Sequence, residues 1–298
     1  MDANKDVSRR GLLGAAVAGA MVGCGPAART DEAPGAPLRG RIRQSVVQWC
    51  FAPHWSLPQT CRIAANLGCR SVELLEPQHW PTLRQFGLTC AIARGHGFVR
   101  GMNHTAHHAE CSEILRRSID AAAVAGVPNV ITFTGFATTE AGTVGPEQGA
   151  RNCVDGYKQL VAYAEQRGVN LCLEMLNSRV DEEMKGHPGY QGDDIDYCLD
   201  IVRKVGSPRM KLLFDIYHVQ IMHGDVIRRL RECGPYVAHV HTAGNPGRGE
   251  LDDRQEINYP PILRTLLEIG YEGYVGQEFI PTGDPEKGLR QAVRLCDV

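Results

Sequence analysis

From about residue 41 onward, short apolar runs rich in β-branched residues alternate with stretches whose apolar positions recur every three or four residues. The first pattern reads as buried strands and the second as amphipathic helices. Strands are expected at 45–51, 71–75, 88–92, 129–133, 170–174, 210–215, 236–241 and 273–278. Helical patterns follow them, at 57–67, at 112–125 with Leu115, Ile119, Ala122 and Ala123 on one face, and at 194–205 with Ile195, Cys198, Leu199 and Val202 in register. A shorter pattern covers 80–86. Asn258-Tyr259-Pro260 and Asp284-Pro285 each set a capping residue before an early proline, which marks a helix start.

Strand–helix alternation of this order and length predicts an α/β fold, a (β/α)8 TIM barrel over 41–298. The other architecture with this alternation is a doubly wound open sheet. No G-x-G-x-x-G or phosphate loop follows any of the strands, so the barrel is favoured.

The chain before the barrel has a different character. Arg9-Arg10 precede an apolar run from Gly11 to Gly23, and Gly25-Pro26 close it. That run is shorter than the roughly 20 residues a bilayer needs and has the form of a signal-peptide core. Ser8-Arg9-Arg10-Gly11-Leu12-Leu13 is similar to a twin-arginine export signal. Met21-Val22-Gly23-Cys24 is similar to a lipoprotein processing box, with Met21 where leucine is usual. Residues 1–23 are therefore read as a signal peptide and 24–40, rich in Ala, Pro and Gly, as a flexible tether. An exported protein is expected, periplasmic or membrane-anchored, with a lipid on Cys24 as its membrane attachment.

Composition narrows the function. Hydrophobic residues at 43% and charged residues at 22% suit a folded globule, and a net charge of −2 gives no basic surplus for nucleic acid. The 11 cysteines contain no C-x-x-C pair and several sit inside apolar runs, so they are expected to act as small buried hydrophobes. Nothing in the sequence selects an oligomeric state.

In a barrel of this kind the chemistry sits where strands end. Glu174 ends the fifth expected strand, Asp215 the sixth, His241 the seventh and Glu278 the eighth, each directly after an apolar run. Three carboxylates and an imidazole brought to one rim repel unless a cation lies between them. Mostly oxygen donors with one histidine suit one Mg²⁺ or Mn²⁺, whereas structural zinc prefers a closed Cys/His shell. His239, two residues before His241, faces the same way one layer deeper and reads as a supporting histidine. The run Asn103-His104-Thr105-Ala106-His107-His108 reads as a solvated loop. Trp49, Trp55 and Trp80 suit either pocket wall or core, and Thr132 and Thr134 suit the barrel interior.

From about Ser45 to the C-terminus the chain resembles the xylose isomerase-like TIM-barrel superfamily, and within it the hydroxypyruvate isomerases and ketose 3-epimerases. The segments that carry the likeness are Leu173-Glu174-Met175-Leu176-Asn177, Phe214-Asp215-Ile216-Tyr217-His218-Val219-Gln220 and His239-Val240-His241-Thr242-Ala243-Gly244-Asn245-Pro246-Gly247-Arg248. Gln255-Glu256-Ile257-Asn258-Tyr259, Gly270-Tyr271-Glu272-Gly273-Tyr274, Gly101-Met102-Asn103-His104 and Ala125-Gly126-Val127-Pro128-Asn129-Val130 add to it. The resemblance implies metal ligands at Glu174, Asp215, His241 and Glu278, and an acid–base pair at Glu174 and Glu278. It implies substrate contacts from His218 and Arg248. Two departures bear on the substrate. Hydroxypyruvate isomerases commonly carry Gln where His241 stands, while the epimerases carry His. Gly249-Glu250-Leu251-Asp252-Asp253-Arg254 also lacks the usual His-Glu-Pro-Gly-Thr-Gly loop.

The implied activity is an isomerase interconverting a small 2-keto acid or ketose with its aldose or aldehyde isomer through a metal-stabilised enediolate, with hydroxypyruvate as the named substrate. A ketose 3-epimerase, a lyase on oxidised sugars and a non-catalytic sugar-binding lipoprotein are the alternatives. The Glu174/Glu278 pair argues against the last, because binding alone does not need both acids.

Overall fold

The computed structural model describes residues 37–298. The signal segment 1–23, the processing box at Cys24 and most of the 24–40 tether lie outside the described residues. From Leu38 the chain is bound to the barrel: Leu38 packs on the core, and the Arg39 and Gly40 amides donate to the Asp297 carboxylate.

In chain order the elements are β1 (Arg43–Val47), α1 (Gln48–Phe51), α2 (Leu57–Asn66), β2 (Ser71–Glu73), α3 (Trp80–Gln85), α4 (His108–Ala125) and β3 (Asn129–Thr132). A small hairpin follows, β4 (Thr138–Thr139) and β5 (Gly142–Thr143), then α5 (Pro146–Arg167), β6 (Asn170–Glu174) and α6 (Ile195–Val205). The chain continues through β7 (Met210–Asp215), α7 (Ile216–Met222), α8 (Val226–Cys233), β8 (Val237–Thr242), α9 (Tyr259–Glu268), β9 (Tyr274–Gln277) and α10 (Pro285–Leu295).

Seven strands form one parallel sheet in the order β2-β1-β9-β8-β7-β6-β3, curled into a TIM-barrel-like fold. Segment 88–93 takes the place between the two edge strands. Thr89 bridges Ser71 and Ala93 bridges Val130, both in parallel sense. Here the structure corrects the expectation of a regular strand at 88–92: the segment makes three backbone hydrogen bonds to 70–74 and, through Ala93, two to 129–131, but only one bridge to each side and no ladder. The first strand is also shorter than expected. It ends at Val47, and 48–51 turns into α1.

Helix boundaries follow local chemistry. Asp194 and Asp284 each accept two backbone N–H bonds at the starts of α6 and α10, and Ser56 with Gln59 forms a capping box before α2. The outer face of the sheet packs on the helices. α4 contributes Cys111, Leu115, Ile119 and Ala122, while Ala123 is only half-buried. All ten cysteines of the described residues are free and buried. A smaller apolar cluster, including Ile92, Ile131, Phe133, Cys172 and Leu213, fills the inside of the ring.

Strand periodicity decides which side chains reach the rim. Leu171 and Leu173 pack outward with the main core and Cys172 packs inward, so Glu174 continues the inward row. By the same alternation Leu213 and Asp215 face in on β7, and His239 and His241 face in on β8.

Candidate metal and substrate centre at the strand-end rim

The four strand-end residues converge. One ligand atom each of Glu174, Asp215, His241 and Glu278 lies within 4.8 Å of the other three, and all four residues are buried. The Glu278 amide donates to Thr242 O at 2.9 Å, which carries the β8–β9 ladder one residue past β9 and aims the Glu278 side chain at the rim.

Each acid has its own environment. Asp215 divides its oxygens between two tasks. Oδ1 accepts from the Tyr217 and His218 amides at 2.8 and 3.3 Å and starts α7, while Oδ2 makes no hydrogen bond and faces the site. Glu174 Oε1 is likewise buried without a hydrogen-bond partner, 3.5 Å from His241 Nδ1. Glu278 is held on every side: Trp49 Nε1 donates to Oε1 at 3.2 Å, Arg248 donates to Oε2 at 2.7 Å, and His241 Nδ1 stands 2.9 Å from Oε2.

These surroundings split the titrations. Burial and the neighbouring Glu278 push Asp215 up to about 7. Burial also raises Glu174. For Glu278 burial works upward too, but the charges of His241 and Arg248 outweigh it and hold the group well below the usual carboxylate range. His241 is raised well above 6.5 because Glu278 and the other carboxylates outweigh its desolvation.

Unpartnered atoms of Glu174, Asp215 and His241 thus face the same small volume with an oxygen-rich donor set. That is the environment a hard divalent cation requires, and these residues fit one. Arg248 shares the space. Its guanidinium contacts Met184 O and Glu278, lies 3.8 Å from Asp215 Oδ2, and sits over the Trp49 and Tyr217 rings at 5.4 and 5.6 Å. Two of its donors are therefore engaged within the protein, and its Nε has no partner.

His218 has a determined tautomer. The Asn177 backbone amide donates to its Nδ1 at 3.0 Å, so the proton of the neutral ring is on Nε2, 3.6 Å from Asp215 Oδ2. Burial and the nearby Arg248 charge keep the ring well below 6.5, hence neutral. Asn177 also ties down the segment that roofs the site, donating to Lys185 O and accepting from the Val180 amide. The roof turns tightly at Gly186, where a Cβ would stand 2.2 Å from Val180 O. His187 on this roof lies 4.4 Å from the Phe98 ring and 6.2 Å from His218, centroid to centroid.

The sequence reading missed Glu73, Asn177 and His187. Glu73 ends β2 and is completely buried, and its Oε1 meets both His239 Nε2 and His241 Nε2. Burial would raise Glu73, but the two histidines outweigh it and hold the carboxylate at about 2. The strand-end rule would have found Glu73 had the apolar pair Leu74-Leu75 not extended the expected strand past it. His239 is an interior histidine, as expected. The 103–108 segment is not a solvated loop. His104 and His107 are buried, His108 is half-buried, and each ring bonds to Ala137 O, Thr139 Oγ1 or Met102 O. Trp49 walls the site, Trp80 is core, and Trp55 stacks on Phe51.

A parallel α/β ring with polar residues gathered at its strand ends is a barrel enzyme scaffold. Residues 61–297 match the family described as xylose isomerase-like TIM barrel, and the chain belongs to that family. It is 29% identical over 276 residues to a Homo sapiens protein named "Putative hydroxypyruvate isomerase", covering 85% of this chain and 94% of that one. A 2-oxo-tetronate isomerase of Cupriavidus necator is 31% identical over 153 residues, 50% of this chain and 56% of the relative. Among solved structures, an AP endonuclease, family 2, from Brucella melitensis superimposes with a TM-score of 0.72 at 24% identity, over 84% of this chain and 96% of its own. At that identity it speaks for the fold alone.

Proposed function

We propose that the protein is an isomerase acting on a small 2-keto acid or ketose, with hydroxypyruvate as the first substrate to try. The observation that carries this reading is the pair Glu174 and Glu278, set on β6 and just past β9 around one buried space with Asp215 and His241 between them in sheet order. The isomerase names of the relatives support it.

Glu174, Asp215, His241 and Glu278 would hold one Mg²⁺ or Mn²⁺, which when bound polarises a carbonyl and its neighbouring hydroxyl and so acidifies the adjoining C–H. One of Glu174 and Glu278 removes the proton from that carbon, one of them returns a proton at the neighbouring former carbonyl carbon, and the hydroxyl proton passes to the former carbonyl oxygen, which completes the isomerisation. His218 offers its Nε2–H to a substrate oxygen. Arg248 keeps Glu278 charged and offers its remaining N–H donors, Nε–H among them, to a substrate carboxylate. The Trp49 and Tyr217 rings and the roof around His187 limit water at the reacting atoms.

The deciding experiment is a substrate panel of hydroxypyruvate, free ketoses and 3-keto sugars with the Mn²⁺-loaded protein, read by product analysis. A second reading, ketose 3-epimerase, is favoured by one residue, the histidine at 241. Epimerised ketose with no aldehyde product would select it. We further infer export by the twin-arginine route with Cys24 as a lipidated N-terminus, a reading supported by Ser8-Arg9-Arg10 and Met21-Val22-Gly23-Cys24. Mass spectrometry of the membrane-associated protein tests it: an intact Met1 on that pool counts against export.

A further inference from the structure

We infer that Glu73 is a positioning residue that determines which nitrogen of His241 is free to meet a cation. The inference rests on the metal reading above. Glu73 reaches the inside of the ring from β2, on the far side of β1 and β9 from His241. Its Oε1 lies 2.9 Å from His241 Nε2 and 2.8 Å from His239 Nε2. A carboxylate oxygen is an acceptor, so both ring nitrogens donate to it. His241 therefore keeps its Nε2 proton directed at Glu73 whether or not a cation is bound, and Nδ1, turned toward Glu278 and Glu174 at 2.9 and 3.5 Å, is the nitrogen a cation can take in place of a proton. A cation bonds to a nitrogen lone pair. With Nε2 committed to Glu73, that lone pair belongs to Nδ1.

The surroundings are shaped for this contact. Gly276 on β9 lies beside it, and a Cβ there would stand 2.4 Å from Glu73 Oε1 and 2.8 Å from His241 Cδ2. Any side chain at 276 would push the carboxylate and the imidazole apart. His239 braces both partners, donating to Glu73 and meeting the His241 ring edge-on at 4.9 Å and 90°. Stability alone does not explain the arrangement. Glu73 Oε2 and His239 Nδ1 are buried without hydrogen-bond partners, and a buried ionic group is commonly matched or bettered in stability by apolar residues of its size. What the group does uniquely is hold one imidazole in one tautomer, with Nδ1 facing the rim.

Calorimetric titration of Mn²⁺ into the wild type, Glu73→Gln and His239→Phe tests this. Loss of such a partner typically weakens metal binding by about 10–100-fold, and that is the expected effect of Glu73→Gln, with a smaller one for His239→Phe, which leaves the Glu73–His241 bond in place. Equal Mn²⁺ affinity in wild type and Glu73→Gln overturns the inference. So does a loss of melting temperature in both variants with Mn²⁺ affinity unmoved, the mark of a purely structural triad. Failure of the wild type itself to bind Mn²⁺ overturns the metal reading beneath it, a separate result. Should Glu73→Gln not fold, the ¹⁵N shifts of histidine-labelled, Mg²⁺-loaded wild type decide. A protonated Nε2 on His241 is expected, and a protonated Nδ1 overturns the inference.

Discussion

The half of the ring from β6 to β9 and the half from β1 to β3 share a backbone plan and differ in what they bring to the rim. In the first, every strand pairs its neighbours over four or more residues, with one register shift between Leu212 and Leu213 on β7, and above that shift Asp215 pairs with His241, and His241 with Gly276 two residues before Glu278. In the second, β1 breaks into α1, segment 88–93 makes single bridges, and β3 runs into an aromatic group of Phe98, Phe133, Phe136 and Tyr190. The regular half positions chemical groups, and the irregular half supplies the wall they face. Glu73 is the exception that joins them, an acid from the wall side reaching under His241.

If that division is right, the largest effects on turnover come from the regular half. Glu174→Gln and Glu278→Gln should each lower kcat by about 10²–10⁴, the range of general acid–base catalysis, while retaining some Mn²⁺ affinity. Solvent deuterium exchange at the carbon next to the substrate carbonyl checks this. Exchange at the wild-type rate in both variants would show that neither is the base.

A cut in the wall should do the reverse. Phe133 is 8% exposed within the inner cluster. Phe133→Ala should cost about 3 kcal/mol in stability by denaturant titration, with Mn²⁺ affinity nearly unchanged. A matching loss of metal affinity would erase the distinction between the halves.

His218→Ala is expected to raise KM about tenfold, the worth of one substrate hydrogen bond, and to change Mn²⁺ binding less than that. The smallest effect is a pH slope from the wall. His96 Nδ1–H donates to the Gly97 and Arg100 carbonyls, Nε2 meets Thr132 Oγ1, and burial holds the ring below 6.5. The unfolded chain then binds the extra proton, so the stability from His96 is complete above about pH 6.5 and falls as pH drops toward the folded-state value, by at most about 1.4 kcal/mol per pH unit. Melting temperatures at pH 7.5 and 5.5 should differ less in His96→Gln than in the wild type.

The same contrast explains how much could be read from sequence. In the regular half the apolar runs end within one residue of the strands, so counting along the sequence brings Glu174, Asp215, His241 and Glu278 to one rim. In the other half, Trp49-Cys50-Phe51 looked like strand because its residues are apolar, although the chain turns into α1 there to pack Phe51 against Trp55 and Phe279. The 88–92 run has strand composition and bonds its neighbours, but its bridges at Thr89 and Ala93 stand apart and do not join into a ladder. Glu73 does end a strand, but Leu74-Leu75 carry the apolar run past it and hide that end, while His187 acts through tertiary contacts that no local periodicity marks.

The four strand-end side chains are proposed to form one cation site. Anomalous diffraction from crystals soaked in Mn²⁺ tests it most directly. One peak is expected within roughly 2.5 Å of Glu174, Asp215, His241 Nδ1 and Glu278, the reach of ligands to a hard cation. A peak bound instead by Glu73 and His239, or no peak in the barrel at saturating Mn²⁺, would contradict it.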